Sequence, residues 1–506
     1  MARWRFSVTL DPSSPVAVYA QIARALTDDI RRGRLRANDA LPGSRALAQT
    51  LGVHRNTVLA AYDALRAEGW ISAEPGAATR VTAAMPDARP RREPPRSPAR
   101  VGFTVAGCAE DPDESGALQG LVRISDGTPD PRTLPSLALS RALRAALRAG
   151  GTEVLGYGHP AGHPGLRAGV AQMLSEARGV AATPDDVVIT AGSQGALDLL
   201  SRALIRPGDR VAVERLGYRP AWDALRAAGA ALVPVAVDDD GMRVEDLETA
   251  GPLRAVYLTP QHQYPRTVTL SAARRVRLLA LAQARGVAVF EDDYDHEFHY
   301  DARPVLPLAS ADRAGVVCYV GSLSKVVAPG LRVGWLHAPA PVVREVVRLR
   351  TIAGRHNDGP MQHALAALLE EGELQRQVRR VRRVLHARRD AALEAVREVF
   401  GEALSVRPPA GGMTLWARVP EGVELAGWKC AAREAGLLLR VGAEFDLEGR
   451  ETPALRLGYG QMDERAFRAA LKTLARVMPR APAARRPARA GRATHPVRSG
   501  IEDPRA

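Results

Sequence analysis

The stretch "GSLSKVVAPGLRVG", residues 321–334, sets a lysine in a turn of small residues seven positions before an arginine. The chain holds 70 Lys plus Arg, yet only three are lysines: Lys325, Lys429 and Lys472. A deprotonated lysine amine is a nucleophile that condenses with an aldehyde, which a guanidinium cannot do at any accessible pH. Lys325 is therefore a candidate imine-forming residue, and Ser322, Ser324 and Arg332 around it suit a phosphate. Taken alone, the stretch equally describes an ordinary surface lysine in a turn.

A phosphorylated pyridine aldehyde, pyridoxal phosphate, makes further demands. Its ring nitrogen must stay protonated for the ring to draw electrons, which requires a buried carboxylate opposite it. "VAVFEDDYDHEF" supplies acids at the end of a strand. Asp292 is the candidate partner of the nitrogen, Tyr294 is placed for the ring's phenolic oxygen, and Asp293 should point to the opposite face. Without that context the same run reads as a solvated strand end. "VVITAGSQGALDLL" has the form of a strand, a glycine turn and a helix start, where free amides attract phosphate; Ser193 and Gln194 sit there. "RVAVERLGY" ends on Tyr218, an aromatic that could stack on the pyridine or simply line a core.

These residues need elements to hold them. From about 121 to 478, helical patterns alternate with the β-rich runs "DVVIT", "RVAVE", "RAVYLT", "VAVFED" and "VVCYVG". Such alternation predicts a mainly parallel sheet covered on both faces. A separate unit precedes it, over residues 1–82. "VYAQIARALTDDIRRGRL" places Val18, Ile22, Leu26 and Ile30 on one helix face that ends near Gly33. "LPGSRALAQTLGVHRNTVLAAYDALRAEGWI" reads as a helix capped by Ser44, a turn at Gly52, and a second helix from about Arg55 to Glu68. "WISAEPGAATRV" then alternates around a Pro-Gly turn, as a two-stranded wing would. A winged helix-turn-helix enters the major groove by the amino-terminal end of its second helix. Here that end carries His54, Arg55, Asn56 and Thr57, with Arg45 over the backbone. The competing reading is a helical domain that only contacts the rest of the protein. Residues 83–120 include "PDARPRREPPRSPAR" and read as a stiff linker, and 479–506 as a basic disordered tail.

Composition narrows the classes. The 506 residues are 46% hydrophobic and 25% charged, as in globular proteins. There is no apolar run of bilayer length and no leader at "MARWRFSVTL", so a cytoplasmic protein without a membrane partner is expected. Cys108, Cys318 and Cys430 have neither disulfide-framework nor metal-ligand spacing, and no metal is expected. A net charge of +14 suits a polyanion such as double-stranded DNA, although the arginine-rich ends supply much of it.

Residues 15–82 resemble the GntR-type winged-helix domain, whose members show a "LPSSRxLAxxLGVSRNTVxxAYxxLxAEG" run. The resemblance implies DNA contacts from Arg45, Arg55, Asn56, Thr57 and Gly76, while His54 replaces the usual small hydroxyl residue. Residues 121–478 resemble the fold-type I aminotransferases through "YGHPAGHPGLR", "GSQGAL", "LGY", "TPQHQYP", "EDDYD", "SLSK" with Arg332, and "LRLGY", in that order. This implies that Tyr157 reaches the phosphate of the neighbouring subunit in a homodimer and that Arg456 forks onto an effector carboxylate. Two departures stand out: "HQYPRTV" where the family often has "HQYPTG", and "RLGY" where it usually has "DPGY".

The fusion resembles the MocR subfamily of GntR regulators. It implies an α+β winged helix-turn-helix followed by an α/β fold-type I domain, with a mainly parallel large part and a smaller C-terminal α/β part. Pyridoxal phosphate is the implied cofactor, DNA and a small amino compound the implied partners, and the sensed ligand is an amino compound or the cofactor itself. Two rivals stay open: a working aminotransferase with an accessory DNA-binding domain, and an apo DNA-binding protein whose second domain only dimerises.

Overall fold

The computed structural model describes residues 9–11, 14–73, 78–83, 120–300 and 305–479. The chain forms two compact units, residues 1–112 and 113–506.

In the first unit, α1 (Val18–Arg31), α2 (Ser44–Leu51) and α3 (Arg55–Ala67) precede a short antiparallel pair, β1 (Ile71–Ser72) with β2 (Arg80–Val81). The apolar faces read from the sequence meet in one core: Ile22, Leu26, Ile30, Leu47, Val58, Ala61, Tyr62, Leu65 and Trp70 are all buried. Gly52 takes φ +65° at the end of α2, a left-handed conformation that glycine adopts without steric penalty and that lets α3 turn back. One expectation is corrected. Ser44 is the first helical residue and not the cap, because the Gly43 carbonyl already accepts from the Leu47 amide at 3.0 Å. The Ser44 hydroxyl instead accepts from Arg55 Nε at 3.3 Å and ties α2 to α3. The Pro-Gly turn of the wing, Gly76 included, lies outside the described residues.

The second unit is built on a seven-stranded sheet. Its strands are β3 (Val187–Thr190), β4 (Arg210–Glu214), β5 (Ala231–Val235), β8 (Ala255–Leu258), β9 (Ala288–Asp293), β10 (Val317–Ser322) and β11 (Gly334–His337), while β6 (Val237–Asp238) and β7 (Gly241–Met242) form a side hairpin. The order is β3-β11-β10-β9-β8-β4-β5, parallel except for β11, which runs against both neighbours. β3, β8 and β10 are buried along their whole length, as expected of strands covered on both faces. Alternate residues of β9 serve different cores: Val289 packs with Tyr319, Trp335 and Val256 on one face, and Phe290 with Tyr257, Val320 and Cys318 on the other. Each such side chain contributes about 1.5–3 kcal/mol of burial.

A smaller antiparallel sheet, β12 (Ser405–Val406), β13 (Thr414–Arg418), β15 (Ala454–Gly458) and β14 (Arg440–Val441) in that order, closes the unit. It packs through Leu415, Leu455 and Leu457 on Trp428 and Phe467 of the helices Leu425–Glu434 and Glu464–Arg476. Among the described residues, no helix is long and apolar enough to cross a membrane.

Candidate functional site

Parallel strands end together, so the residues just beyond them share one edge of the sheet, where loops can converge on a ligand. Val320 of β10 pairs with Asp292 of β9, and Gly321 with Asp293, which sets the acidic run beside the turn that holds Lys325. Of the three lysines, Lys472 is exposed and Lys429 pairs with Glu444 at 3.0 Å. Lys325 alone is enclosed at the sheet edge. Its Nζ donates to the Gly127 carbonyl at 3.0 Å. Burial, reinforced by the Arg456 charge, lowers its amine to about 8. Far more of the amine is therefore neutral near physiological pH than in an exposed lysine.

Asp292 and Asp293 point to opposite faces of β9, and their surroundings separate them chemically. Asp293 accepts from Tyr319 Oη at 2.5 Å and meets His296 Nδ1 at 2.9 Å, with Arg178 at 3.8 Å. Burial would raise its carboxyl, but His296, Arg178 and the Tyr319 hydroxyl outweigh that and hold it below the usual carboxylate range. Among the described residues, Asp292 has a single bond, from Tyr257 Oη to Oδ2 at 3.0 Å, and its buried Oδ1 has no partner. Burial raises its carboxyl to about 7. Nearby Glu214, which accepts from the Thr259 amide and hydroxyl at 3.1 and 2.8 Å, is raised by burial to about 8. An unpaired, reluctantly ionised carboxylate at a strand end is suited to a cationic partner.

Around this centre, Tyr294 Oη donates to the His262 carbonyl at 3.0 Å. Tyr218 packs edge-on to Tyr264 at 5.3 Å, and burial raises its hydroxyl to about 12. The helix Gly192–Leu204 begins with Gly192 at φ +71°, a conformation that leaves Ser193 and Gln194 in its first turn. Gln194 Nε2 donates to the Pro220 carbonyl at 2.8 Å, while its Oε1 is buried and unpaired. Arg332, itself at φ +50°, reaches over that helix start and donates to the Ala191 carbonyl at 3.2 Å. Packing beneath it is tight: a Cβ on Gly192 would stand 3.1 Å from the guanidinium, and one on Gly334 would clash with the Gly192 backbone at 2.7 Å. Ser322 and Ser324 are both buried; the Ser322 hydroxyl accepts from the Ser324 amide at 3.0 Å, and Ser324 Oγ has no partner.

Arg456 comes from β15 of the small sheet and is buried against the same edge. It donates to the Ser125 carbonyl at 2.9 Å, and its guanidinium lies 4.5 Å from the Tyr264 ring centre. Residues 125–127 thread between Arg456 and Lys325, and a Cβ on Gly127 would lie 2.7 Å from Arg456 Nη2 and 2.9 Å from Thr414 Cγ2, so a larger residue there would displace the guanidinium. Tyr157 stands apart, 85% exposed, with Arg355 5.0 Å from its ring centre. Sequence reasoning missed Ser125, Gly127, Tyr257 and Tyr264. Tyr257 reads as a core residue within "AVYL", and only the alignment of β8 with β9 brings its hydroxyl to Asp292.

In the first unit, His54 caps α3, its Nδ1 accepting from the Asn56 amide at 3.2 Å. Arg45, His54, Arg55 and Asn56 are exposed and Thr57 half-buried, all at the entry of α2 or α3.

Comparison with known proteins fits both halves. Residues 18–81 match the bacterial regulatory proteins of the gntR family, and residues 127–474 match aminotransferase class I and II. The chain is 31% identical to the probable rhizopine catabolism regulatory protein MocR of Rhizobium meliloti, over 92% of its own length and 95% of the relative's. The chain belongs to the MocR-type GntR regulators. It is also 32% identical to the HTH-type transcriptional regulator TauR of Rhodobacter capsulatus, over 93% of this chain and 99% of that one. Among solved structures, Pyrococcus horikoshii kynurenine aminotransferase matches with a TM-score of 0.68 and 29% identity, over 73% of this chain and 94% of that one. This MocR-type chain therefore carries the aminotransferase fold behind a GntR winged helix.

Proposed function

We propose that this MocR-type chain is a cytoplasmic transcriptional regulator that reads duplex DNA through Arg45, His54, Arg55, Asn56, Thr57 and Gly76. In this reading residues 121–478, joined by the linker 83–120, hold pyridoxal phosphate and sense an amino compound or the cofactor itself. The observation that carries the proposal is the enclosed Lys325 amine, lowered to about 8 next to Arg456 in a chain of three lysines.

The residues fit the cofactor. The orphan Oδ1 of Asp292 would face a protonated ring nitrogen, whose charge would offset the burial of the carboxylate. Tyr294 and Tyr218 would bound the ring. Ser193, Gln194, Ser322, Ser324 and Arg332 would hold the phosphate at the start of the helix Gly192–Leu204, with Tyr157 supplied by the second subunit of a homodimer. When bound, pyridoxal phosphate supplies an aldehyde carbon open to a primary amine and a ring that withdraws electrons. Arg456 would clamp an effector carboxylate from the small sheet while Lys325 stays on the large one, so a ligand gripped by both would bias the two parts toward closure. To switch promoter occupancy, that bias must differ between states by a few kcal/mol, roughly the usual size of an allosteric coupling.

The test is borohydride reduction of the protein loaded with pyridoxal phosphate, followed by peptide mapping, and DNA binding with and without amino compounds. A label on Lys325 and DNA binding that responds to an amine are expected. A label elsewhere or nowhere overturns the proposal, and sustained keto-acid production would assign a working aminotransferase instead.

A further inference from the structure

On many surface helices of this chain, an arginine is answered by a carboxylate three or four residues away: Arg66 by Asp63, Arg202 by Asp198, Arg226 by Asp223, Arg348 by Glu345. The helix Ala272–Arg285 has no acid of its own, and its Arg274 and Arg277 are answered by Asp238, Glu245 and Glu248 from other elements. Two further helices carry runs of arginines that are mostly answered in neither way. The helix Ser136–Ala149 carries Arg141, Arg144 and Arg148 and no acid at all. The helix Glu373–Phe400 carries Arg376, Arg379, Arg380, Arg382 and Arg383 in its first half, and after Glu373 its next acid is Asp390.

The spacing turns these into two stripes. Arg141, Arg144 and Arg148 stand at i, i+3 and i+7, and Arg376, Arg379, Arg380 and Arg383 at i, i+3, i+4 and i+7, each set on one helical face. All are exposed. Arg376 pairs with Glu373 at 3.0 Å, whereas no described carboxylate lies within ion-pair distance of the other six. The stripes are neighbours. Glu373 is held below its usual range by its bond to Arg376, and Arg141 adds to the effect. Gln377 also bonds the Thr133 carbonyl at 2.7 Å, just ahead of the first helix. Like charges left unanswered side by side repel one another, so the arrangement gains nothing for folding and suits an external polyanion.

We infer that these arginines form a second, sequence-indifferent contact surface for the phosphate backbone of duplex DNA, separate from the winged helix. Duplex DNA is the occupant favoured over other polyanions because the same chain carries a GntR domain, which delivers this surface to DNA at high effective concentration. Each stripe covers about 10 Å of helix, at 1.5 Å per residue, enough to meet consecutive phosphates of one strand. The inference rests on the DNA-binding half of the proposed function and adds length dependence to it: flanking DNA should tighten binding without contributing sequence specificity.

The test uses the full-length protein and two variants, Arg141→Gln/Arg144→Gln/Arg148→Gln and Arg379→Gln/Arg380→Gln/Arg383→Gln. Binding is measured against salt on two duplexes from the region upstream of its own gene, one just covering the winged-helix footprint and one several turns longer. The wild type should prefer the long duplex, and each variant should lose that preference. On the long duplex, the slope of log K against log salt should flatten by about 2 to 3 for three lost phosphate contacts. On the short duplex the variants should match the wild type. Unchanged slopes on the long duplex, or an equal loss on both, would overturn the inference while leaving the winged-helix reading intact. Failure of the wild type to bind either duplex would overturn both. Transfer of the wild type to anionic phosphatidylserine vesicles in preference to the long duplex would assign the surface to a membrane instead.

Discussion

Asp292→Asn separates a carboxylate kept for a ligand from one kept for the fold. In the folded protein Asp292 is raised from 3.8 to about 7, chiefly by burial, and its Oδ1 has no partner. A carboxyl that holds its proton more tightly when folded makes the native state bind the extra proton between those two values. Folding stability therefore falls as pH rises through that window and stays low above it. Three units at 1.36 kcal/mol each give about 4 kcal/mol of destabilisation at pH 8 in the cofactor-free protein. The asparagine removes that term but leaves an amide hydrogen pair where Oδ1 was unpaired, a loss of about 1–3 kcal/mol at every pH. Urea unfolding of the cofactor-free variant should therefore find it less stable than wild type near pH 4, where little of the wild-type penalty has developed, and more stable near pH 8. The difference should change by roughly 1.4 kcal/mol per pH unit up to about 7 and then level off. The same variant should bind pyridoxal phosphate weakly. Parallel stability profiles for wild type and variant between pH 5 and 8 would refute the reasoning, because they would mean that Asp292 carries no buried, unpaired charge.

Three further outcomes are expected. Because the Arg456 charge helps burial to depress the Lys325 amine, Arg456→Gln should move the pH midpoint of pyridoxal phosphate capture above about 8, read from absorbance on mixing; a midpoint that stays or falls would refute the coupling. Thr267 sits at φ +61°, where a β-branched residue is strained by roughly 1–2 kcal/mol, so Thr267→Gly should raise urea stability by up to about 1 kcal/mol after the added chain entropy, and a loss would show that the strain is not stored there. Asn56→Ala, at an exposed position of α3, should weaken binding to the upstream duplex by about 1–3 kcal/mol in a fluorescence titration while leaving the helical circular dichroism unchanged.

What could be read without coordinates was whatever depends on local pattern. The apolar spacing of Ile22, Leu26 and Ile30, the turn at Gly52, and five of the seven large-sheet strands all lie where their residue types place them. The two strands left unread explain themselves. β5 contains Pro234, which is tolerable because β5 is the sheet edge, and β11 is four residues long and opens on glycine. Residue chemistry also sufficed to single out Lys325, since an amine among guanidines is visible in the letters alone.

Tertiary structure decided everything that depends on what lies across from a residue. The run "EDDYD" does not say which acid is free and which is neutralised; that follows from Tyr257 on one face of β9 and from Arg178 and Tyr319 on the other, all three brought in from distant positions, with His296 three residues along turned back onto Asp293. The missing glycine in "HQYPRTV" proved to be a strained threonine that keeps a left-handed backbone, a fact of φ that composition does not carry. The environment of Lys325 belongs to the same class. Its lowered amine comes from burial and from Arg456 on another sheet, and desolvation and Coulomb forces act through space, whereas the letters record only order along the chain.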